Sequence, residues 1–334
     1  MGRIMARVSR SNNMSPADFE FLVSKATKAP SGHNTQPWRF RRDGLMVEIH
    51  PDFDRRLPVV DPDDRELFVS LGCATENLCL AAQNIGYESS VAVGDTGVIA
   101  VTLTEEVDIK SNPLFEQIDL RQTNRSIYTG EEIALDALKR LQAIRSEDGV
   151  SVHYYARQTK QFNDIEQCVL QGNTRQMQNE SFKAELKSWM RFNKKHQDQT
   201  LDGLSYAVFG APNVPRWMAE PIMAMAINAK TQNKADREKI ASASHLVLFT
   251  TRENSRREWV NLGRTLQRFL LTATELGISH AYLNQPNEEA EIASEMARTL
   301  GLAGEYPTIL LRIGYGERQA YSKRRSVGDV IAAD

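Results

Sequence analysis

The sequence predicts an α+β fold built from two related halves, and two observations support this prediction. Leucine, alanine and glycine residues in the stretch 71–86 recur in the stretch 262–277. Six positions match at one constant offset of 191, the difference between Gly263 and Gly72. The apolar residues in both stretches have helical spacing, and strand-like runs come after each of them. A helix that occurs twice in one register is typical of a duplicated fold.

Composition and charge exclude several classes of protein. The 334 residues are 41% hydrophobic and 25% charged, with a net charge of -2, which is typical of a globular protein without a nucleic-acid partner. No apolar run approaches the roughly 18 residues that predict a membrane span. The three cysteines form no CxxC motif, and the basic N-terminus lacks the apolar run of a signal peptide. We therefore expect a cytoplasmic protein with no membrane partner.

The first half, residues 1–112, shows an alternation of helical and strand-like patterns. Ser15 and Pro16 are typical of a helix start, and the apolar spacing up to Ala26 predicts one buried face. Residues 38–49 predict a hairpin that turns at Gly44. After the hairpin, the sequence predicts a charged connection and then a long helix over 67–84. Two strands, at 89–93 and 98–103, complete this half.

The second half, residues 113–334, has the same kinds of element with one additional segment. A helix is predicted over 135–144 and strands over 246–249 and 308–314. Between them, residues 174–216 are polar and contain several aromatic residues, without a counterpart in the first half. We expect this segment to be an insertion, either an ordinary surface excursion or a lid.

The stretch 29–38, APSGHNTQPW, is the strongest candidate for a ligand-binding loop. Pro30 and Pro37 stiffen its ends, and Gly32 is expected to supply backbone angles closed to other residues. Polar donors and acceptors lie side by side between them: Ser31, His33, Asn34, Thr35 and Gln36. Such a loop suits a flat polar ligand. The alternative from these residues alone is an Asx or Ser turn closed by a buried Trp38.

Three segments resemble the FMN-dependent nitroreductase family: APSGHNTQPWRF, RQTNRSIY, and LLRIGYG with KRR after it. The first is similar to the family's signature loop, the second to its Arg-rich phosphate segment, and the third to its C-terminal strand and basic end. Their order is most like the Acg-type branch, in which both halves of a nitroreductase dimer are fused. The resemblance implies a nitroreductase-like α/β/α sandwich, duplicated as a pseudo-dimer, with a helical lid-like insertion.

The resemblance also implies an FMN site to which both halves contribute. From the first half, the residues that would line the flavin are Pro30, Ser31, His33, Asn34 and Gln36. From the second half, the implied phosphate, ribityl and ring contacts are Arg121, Thr123, Arg125, Lys239, Gln285, Lys323 and Arg325, with Arg324 as the alternative to Lys323. Arginine contacts suit a phosphate dianion. A lysine beside flavin N1 stabilises the negative charge of reduced flavin.

Two departures from the family pattern affect this site. Asp236 stands where many relatives have an asparagine near the flavin. Each half also retains only one of the two site motifs, because residues 7–10 are at best a decayed Arg segment and residues 146–149 replace the signature loop. We therefore expect one FMN site per chain, at the interface between halves. A monomer is then sufficient, and a homodimer is the alternative.

The function implied by the resemblance is that of an FMN-dependent oxidoreductase. NADH or NADPH would reduce the flavin, and a nitroaromatic, a quinone or a similar small electron acceptor would reoxidise it. The alternative is a flavin-sequestering protein with little turnover, whose lid bars the nicotinamide. No GxGxxG, P-loop, HExxH or GxSxG motif competes with this interpretation. His33 has no spaced partners, so no metal site and no catalytic side chain are expected.

Overall fold

The computed structural model describes residues 13–106, 109–209 and 211–332. The predicted decayed Arg segment at residues 7–10 lies outside this part of the chain. Within the described residues, no helix is both long enough and apolar enough to cross a lipid bilayer.

Two helices and four strands are present in the described part of the first half. They are α1 (Pro16–Ala26), β1 (Trp38–Asp43), β2 (Met46–Pro51), α2 (Arg65–Asn84), β3 (Tyr87–Val93) and β4 (Ile99–Glu105). Helix α1 begins as predicted: Ser15 is the N-cap, and its side chain accepts a hydrogen bond of 3.0 Å from the Asp18 backbone N–H. The predicted hairpin is also present, with Trp38 opposite Pro51 and Asp43 opposite Met46.

The second half is longer and carries more helices. Its elements are α3 (Leu135–Gln142), β5 (Val150–Ala156), α4 (Lys160–Gln178), α5 (Glu180–Ser188), β6 (Met190–Arg191), α6 (Lys194–Thr200), β7 (Leu204–Ser205), α7 (Arg216–Ala226), α8 (Ala229–Ala241), β8 (His245–Thr251), α9 (Arg256–Glu275), β9 (Ser279–Tyr282), α10 (Ala290–Thr299), β10 (Tyr306–Gly314) and α11 (Val327–Val330). Short 3-10 turns occur at Gly32–Asn34, Phe53–Arg55, Pro113–Gln117 and Tyr206–Phe209.

The two halves build their main sheets in the same order. One sheet runs β1-β2-β4-β3 and the other runs β5-β8-β10-β9, and every pairing within them is antiparallel. In each sheet a 20-residue helix, α2 or α9, lies in the chain between the second and third strands. These helices have bounds that differ by the same 191 positions as the sequence repeat. The repeated helix is therefore present, and its surroundings match in topology.

Helices α2 and α9 cross at the two glycines that revealed the repeat. A Cβ atom on Gly72 would clash with the backbone carbonyl of Val260, and one on Gly263 would clash with that of Val69. The two helix backbones therefore approach more closely than any side chain allows. One core cluster contains buried residues of α2, α9 and strands of both sheets, so the halves share a hydrophobic core.

The second sheet is covered on both faces, as in the predicted α/β/α arrangement. Along β8, Val247 and Phe249 point into the shared core, whereas Leu246 and Leu248 point into a second cluster. That second cluster contains Phe162 of α4 and residues of α8 and α10.

The additional segment of the second half, residues 157–244, connects β5 to β8. It includes the predicted insertion at 174–216, and α4 and α8, which flank the middle part of the connection, pack into the core of the second sheet. Its middle part lies on the first half, where the Glu185 carboxylate accepts the backbone N–H groups of Val59 (3.0 Å) and Val60 (2.9 Å). Trp189 packs there as expected for an aromatic residue of the insertion. Trp217, in contrast, is 75% exposed.

Candidate functional site

The loop between α1 and β1 has an unusual backbone. His33, Asn34 and Gln36 adopt φ angles of 48°, 57° and 55°, in the left-handed region that non-glycine residues rarely occupy. The prediction that Gly32 supplies the special backbone angle is wrong, since Gly32 has no positive φ. Gly32 is instead a position of close approach, where a Cβ atom would lie 3.2 Å from Glu66 Oε2. Strain of this kind persists only where surrounding contacts hold it, and it concentrates at functional sites.

Those holding contacts come from both halves. Within the loop, the Ser31 hydroxyl accepts the backbone N–H of Gln36 at 3.0 Å. The Gln36 amide donates to the carbonyl of Leu201 at 2.9 Å and accepts the backbone N–H of Arg325 at the same distance. The loop is thus clamped between the additional segment and the C-terminal tail, and the second half enforces its strained backbone.

Asn34 makes the most contacts of the predicted loop residues. Its side-chain amide donates to the carbonyls of Gly203 and Lys323, both at 3.2 Å, and its oxygen accepts from Arg324 Nη1 at 2.8 Å. Both ends of this amide already have protein partners, so its main contribution is to the shape of the loop.

The predicted Arg-rich segment comes after a short turn and lies against strand β9. Arg121 is 5% exposed, and its Nη2 donates to the carbonyl of Lys28 at 3.2 Å. Its Nε and Nη1 are buried with no hydrogen-bond partner within the described chain. Thr123 is half-buried on the same segment. A buried guanidinium with two unused N–H directions is an arrangement that suits an anionic ligand.

The basic tail contributes a residue that the family resemblance implied only as an alternative. Arg324 donates to the carbonyls of Thr27 (3.0 Å) and Ala29 (3.2 Å) as well as to Asn34. Burial and the nearby charge of Arg121 lower the pKa of Arg324 to about 9. Three adjacent basic residues look alike in the sequence, so only the path of the tail shows which side chain donates to the loop.

The side chains of the two predicted tail residues have other contacts, and Arg325 Nη1 is also buried without a hydrogen-bond partner among the described residues. The Lys323 side chain is 53% exposed, with its Nζ 3.7 Å from Asp198. Arg325 donates to the carbonyl of Asp329 at 2.7 Å, and its Nη1 lies 4.0 Å from Asp52. Burial first, and then the charge of Arg55, lower the pKa of Arg325.

Lys239 and Arg125 lie on the same side of the site. The charge of Arg125 contributes to the lowering of the Lys239 pKa, for which burial is the largest cause. Burial and Arg125 together lower the pKa of His33 to about 4, so the signature loop of one half faces the cations of the other. These three predicted residues are therefore brought together by the fold.

The departure at Asp236 has a structural explanation. Its buried carboxylate lies 3.8 Å from Lys239 Nζ and accepts amide hydrogen bonds from Asn173 and Gln232, both at 2.9 Å. The predicted residue Gln285 donates to the same oxygen at 3.3 Å. Asp236 therefore acts as the acceptor that positions Lys239 and Gln285 together.

A group of carboxyl side chains beneath the loop has no signal in the sequence. Glu66 accepts the Asn284 amide at 2.7 Å, while Glu288 lies hydrogen-bonded to Glu66 and to Gln176. Burial and the charge of Glu66 raise the pKa of Glu288 well above its ordinary value. The same two causes raise the pKa of Asp61 to about 7. Residues distant in sequence form this cluster, which is why no motif indicated it.

The fold and the site together define a class: an α+β protein in which a strained polar loop beside one sheet faces arginine and lysine side chains beside the other. In the described part of the chain, no three His, Cys, Asp or Glu side chains are arranged so that they could hold a metal ion. A family profile described as "Nitroreductase family" matches residues 121–315. The chain belongs to the nitroreductase family.

Similar proteins match over most of the chain. Two Mycobacterium tuberculosis proteins, each named "Putative NAD(P)H nitroreductase", are 25% identical over 333 residues, covering 93% of this chain and 90% of theirs. A solved structure described as "a putative nitroreductase" from Anabaena variabilis matches with a TM-score of 0.54 at 11% identity, over 90% of this chain and 88% of that one. The FMN-dependent nitroreductase from Mycobacterium smegmatis in complex with NADPH matches with a TM-score of 0.39 at 12% identity, over 60% and 86%.

Proposed function

We propose that this chain is an FMN-dependent oxidoreductase that accepts electrons from NADH or NADPH. Its second substrate is a small electron acceptor such as a nitroaromatic compound or a quinone. One observation carries the proposal: buried Arg121 has two unpartnered N–H directions and lies beside the half-buried Arg324. A cation pair of this kind is costly unless an anion neutralises it. The phosphate of FMN supplies a charge of nearly -2.

The residues present fit FMN in chemistry as well as charge. Arg121, Thr123 and Arg324 would hold the phosphate and the ribityl chain, with Arg125 beside them. The polar loop of residues 30–36 and Gln285 would flank the ring. When bound, FMN supplies the redox chemistry, so the protein needs no nucleophile or metal of its own.

Lys239 provides the charge that favours the reduced ring. Its ammonium group is half-buried, and Asp236 counters part of the pKa lowering that burial causes. The carboxylate thereby keeps the lysine charged and holds it in place. A cation fixed in this position stabilises negative charge that develops near it and requires no reorganisation at the moment of reaction.

The matching strand order of the two sheets supports a duplicated architecture of the Acg type, with halves at residues 1–112 and 113–334. The signature loop comes from the first half, and Arg121 and Arg324 come from the second. On this proposal each chain forms one FMN site at the interface of its halves, and a single chain is sufficient.

The additional segment is proposed to act as a lid over this site. Its residues Leu201 and Gly203 hydrogen-bond the strained loop through Gln36 and Asn34, so any movement of the segment is transmitted to the loop. A lid of this kind would limit access of the nicotinamide and the acceptor to the ring.

The test is anaerobic reduction of the purified protein. We expect bound FMN at one per chain, bleaching of the flavin absorbance on mixing with NADH or NADPH, and reoxidation by a quinone or a nitroaromatic compound. A protein that binds no FMN contradicts the whole proposal. Bound FMN that neither nicotinamide reduces would instead indicate flavin sequestration.

A further inference from the structure

His280, in the middle of strand β9, is a buried polar residue that none of the site motifs includes. It is 1% exposed, and neither Nδ1 nor Nε2 has a hydrogen-bond partner in the described chain. A neutral imidazole carries one N–H donor and one acceptor nitrogen. A buried polar group without a hydrogen-bond partner costs free energy, so such groups are rare in native proteins and each one requires an explanation.

The segment that carries Arg121 lies directly against this part of β9. Asn124 donates its backbone N–H to the His280 carbonyl at 2.9 Å, and its side chain reaches the Ser279 hydroxyl at 3.2 Å. Arg121 is close enough that its charge contributes to lowering the pKa of His280 to about 3, after burial. Two neighbouring side chains, His280 and Arg121, thus have four buried nitrogen atoms without protein partners in the described residues.

The other titratable groups around this pair do not neutralise it. They are Tyr282 on the same face of β9, Cys73 on α2, Tyr321 and Arg324 on the C-terminal segment, and Arg125. Burial raises the pKa of the Cys73 thiol and of the Tyr282 phenol, so both stay uncharged at neutral pH. The remaining groups are a phenol and two further cations. The carboxylates Glu66 and Glu76 act on Tyr282 and Cys73, whereas no carboxylate is among the charges that shift the pKa of Arg121 or His280. The pair therefore has no anionic partner of its own within the described chain.

We propose that His280 binds the phosphate of the flavin nucleotide together with Arg121, with a ring N–H of His280 donating to a phosphate oxygen. This inference rests on the proposed function and adds a residue that no motif indicated. A phosphate offers several acceptor oxygens, enough to satisfy Arg121 Nε, Arg121 Nη1 and one histidine N–H together. The backbone hydrogen bond from Asn124 to His280 fixes the position of the Arg121 segment relative to His280.

The experiment compares FMN with riboflavin, which lacks the phosphate, on flavin-stripped full-length protein. His280→Leu removes both ring nitrogens at similar volume, and His280→Gln keeps an N–H donor. We expect His280→Leu to weaken FMN about 10- to 100-fold, since the lost hydrogen bond is to a charged group. Riboflavin affinity should stay nearly constant, and His280→Gln should retain part of the FMN affinity. The control is His50→Leu, a half-buried histidine of the other sheet that pairs with Glu48.

A second measurement needs no variant and covers the case in which His280→Leu does not fold. In wild-type protein labelled with 15N-histidine, the ring nitrogens of His280 should shift on binding FMN and stay unchanged on binding riboflavin. Equal responses to both ligands, or equal loss of both affinities in His280→Leu, would overturn the role of His280. Wild-type protein that binds neither ligand would instead defeat the proposed function itself.

Discussion

The two halves of this molecule share a strand order but differ in the segment after their first helix. In the first half, α1 leads into the long polar loop with three left-handed residues. In the second half, α3 leads into a short turn at residues 143–149. There Glu147 forms ion pairs with Arg264 (3.2 Å) and Arg268 (2.5 Å) of α9. The same topological position thus carries the proposed ligand-binding loop in one half and ion pairs to α9 in the other.

The comparison also shows why neither half is sufficient for the site. The first half supplies the strained loop but none of the cations Arg121, Arg125, Lys239 and Arg324. The second half supplies these cations, and it also supplies the carbonyls of Leu201 and Gly203 that hold the loop.

The largest effect is expected where the halves meet. Gly72→Ala should lower the free energy of unfolding by about 3 kcal/mol or more, because the new methyl group meets the Val260 backbone at the helix crossing. Chemical denaturation measures this change. Gly94→Ala is the matched control, since its Cβ atom would make only ordinary contact at 3.4 Å. Equal stability of the two variants would show that the α2–α9 crossing can relax.

The next effect concerns the cations of the second half. Arg121→Ala and Arg324→Ala should each weaken FMN by roughly 10- to 150-fold, because a charge-assisted hydrogen bond to the phosphate is lost. Riboflavin, which has no phosphate, should be affected much less. Lys323→Ala serves as the control, since this exposed neighbour points to Asp198. If the affinities for FMN and for riboflavin fell equally, the two arginines would support only the fold and would not contact the phosphate.

A smaller effect is expected from loosening the additional segment. Gly203 has a φ of 72°, and its Cβ atom would meet the Trp189 carbonyl, so Gly203→Ala should disturb the contacts with Asn34. Because one or two of these hydrogen bonds would be lost, we expect NADPH to reduce the flavin about 2- to 10-fold faster. FMN should stay bound. Stopped-flow absorbance measures the rate. Gly301→Ala, with a φ of 73° and no heavy atom within 4 Å of the new Cβ atom, is the matched control. An unchanged rate in Gly203→Ala would argue against a lid.

The smallest effect concerns the carboxyl cluster beneath the loop. Glu288 and Asp61 have raised pKa values in the folded protein, so the folded state binds more protons than the unfolded state above pH 5. Stability should therefore fall as the pH rises from about 5 to 8. Glu288→Gln, which keeps a hydrogen bond without the charge, should reduce this dependence. Thermal unfolding across the pH range tests it, and identical slopes for both proteins would exclude Glu288 as the cause.

Much of the fold could be predicted because its signals are local or periodic. The Ser15 cap, the hairpin at Gly44 and the two long helices depend on neighbouring residues or on spacing along one chain segment. The bounds of the additional segment were less predictable, because α4 and α8 look like surface helices in sequence and become core elements only against the second sheet.

The sequence by itself determined the family resemblance, the repeated helix, and the residue types that a phosphate and a flavin ring require. Tertiary structure alone decided that His33 and Asn34 adopt left-handed angles while Gly32 does not, and that the Arg324 side chain contacts the loop while the Lys323 side chain is exposed. It also decided that His280 lies beside Arg121. The physical reason is the same in each case. Backbone strain, burial and unpaired donors depend on contacts between residues far apart in the chain, and no local pattern of residue types records those contacts.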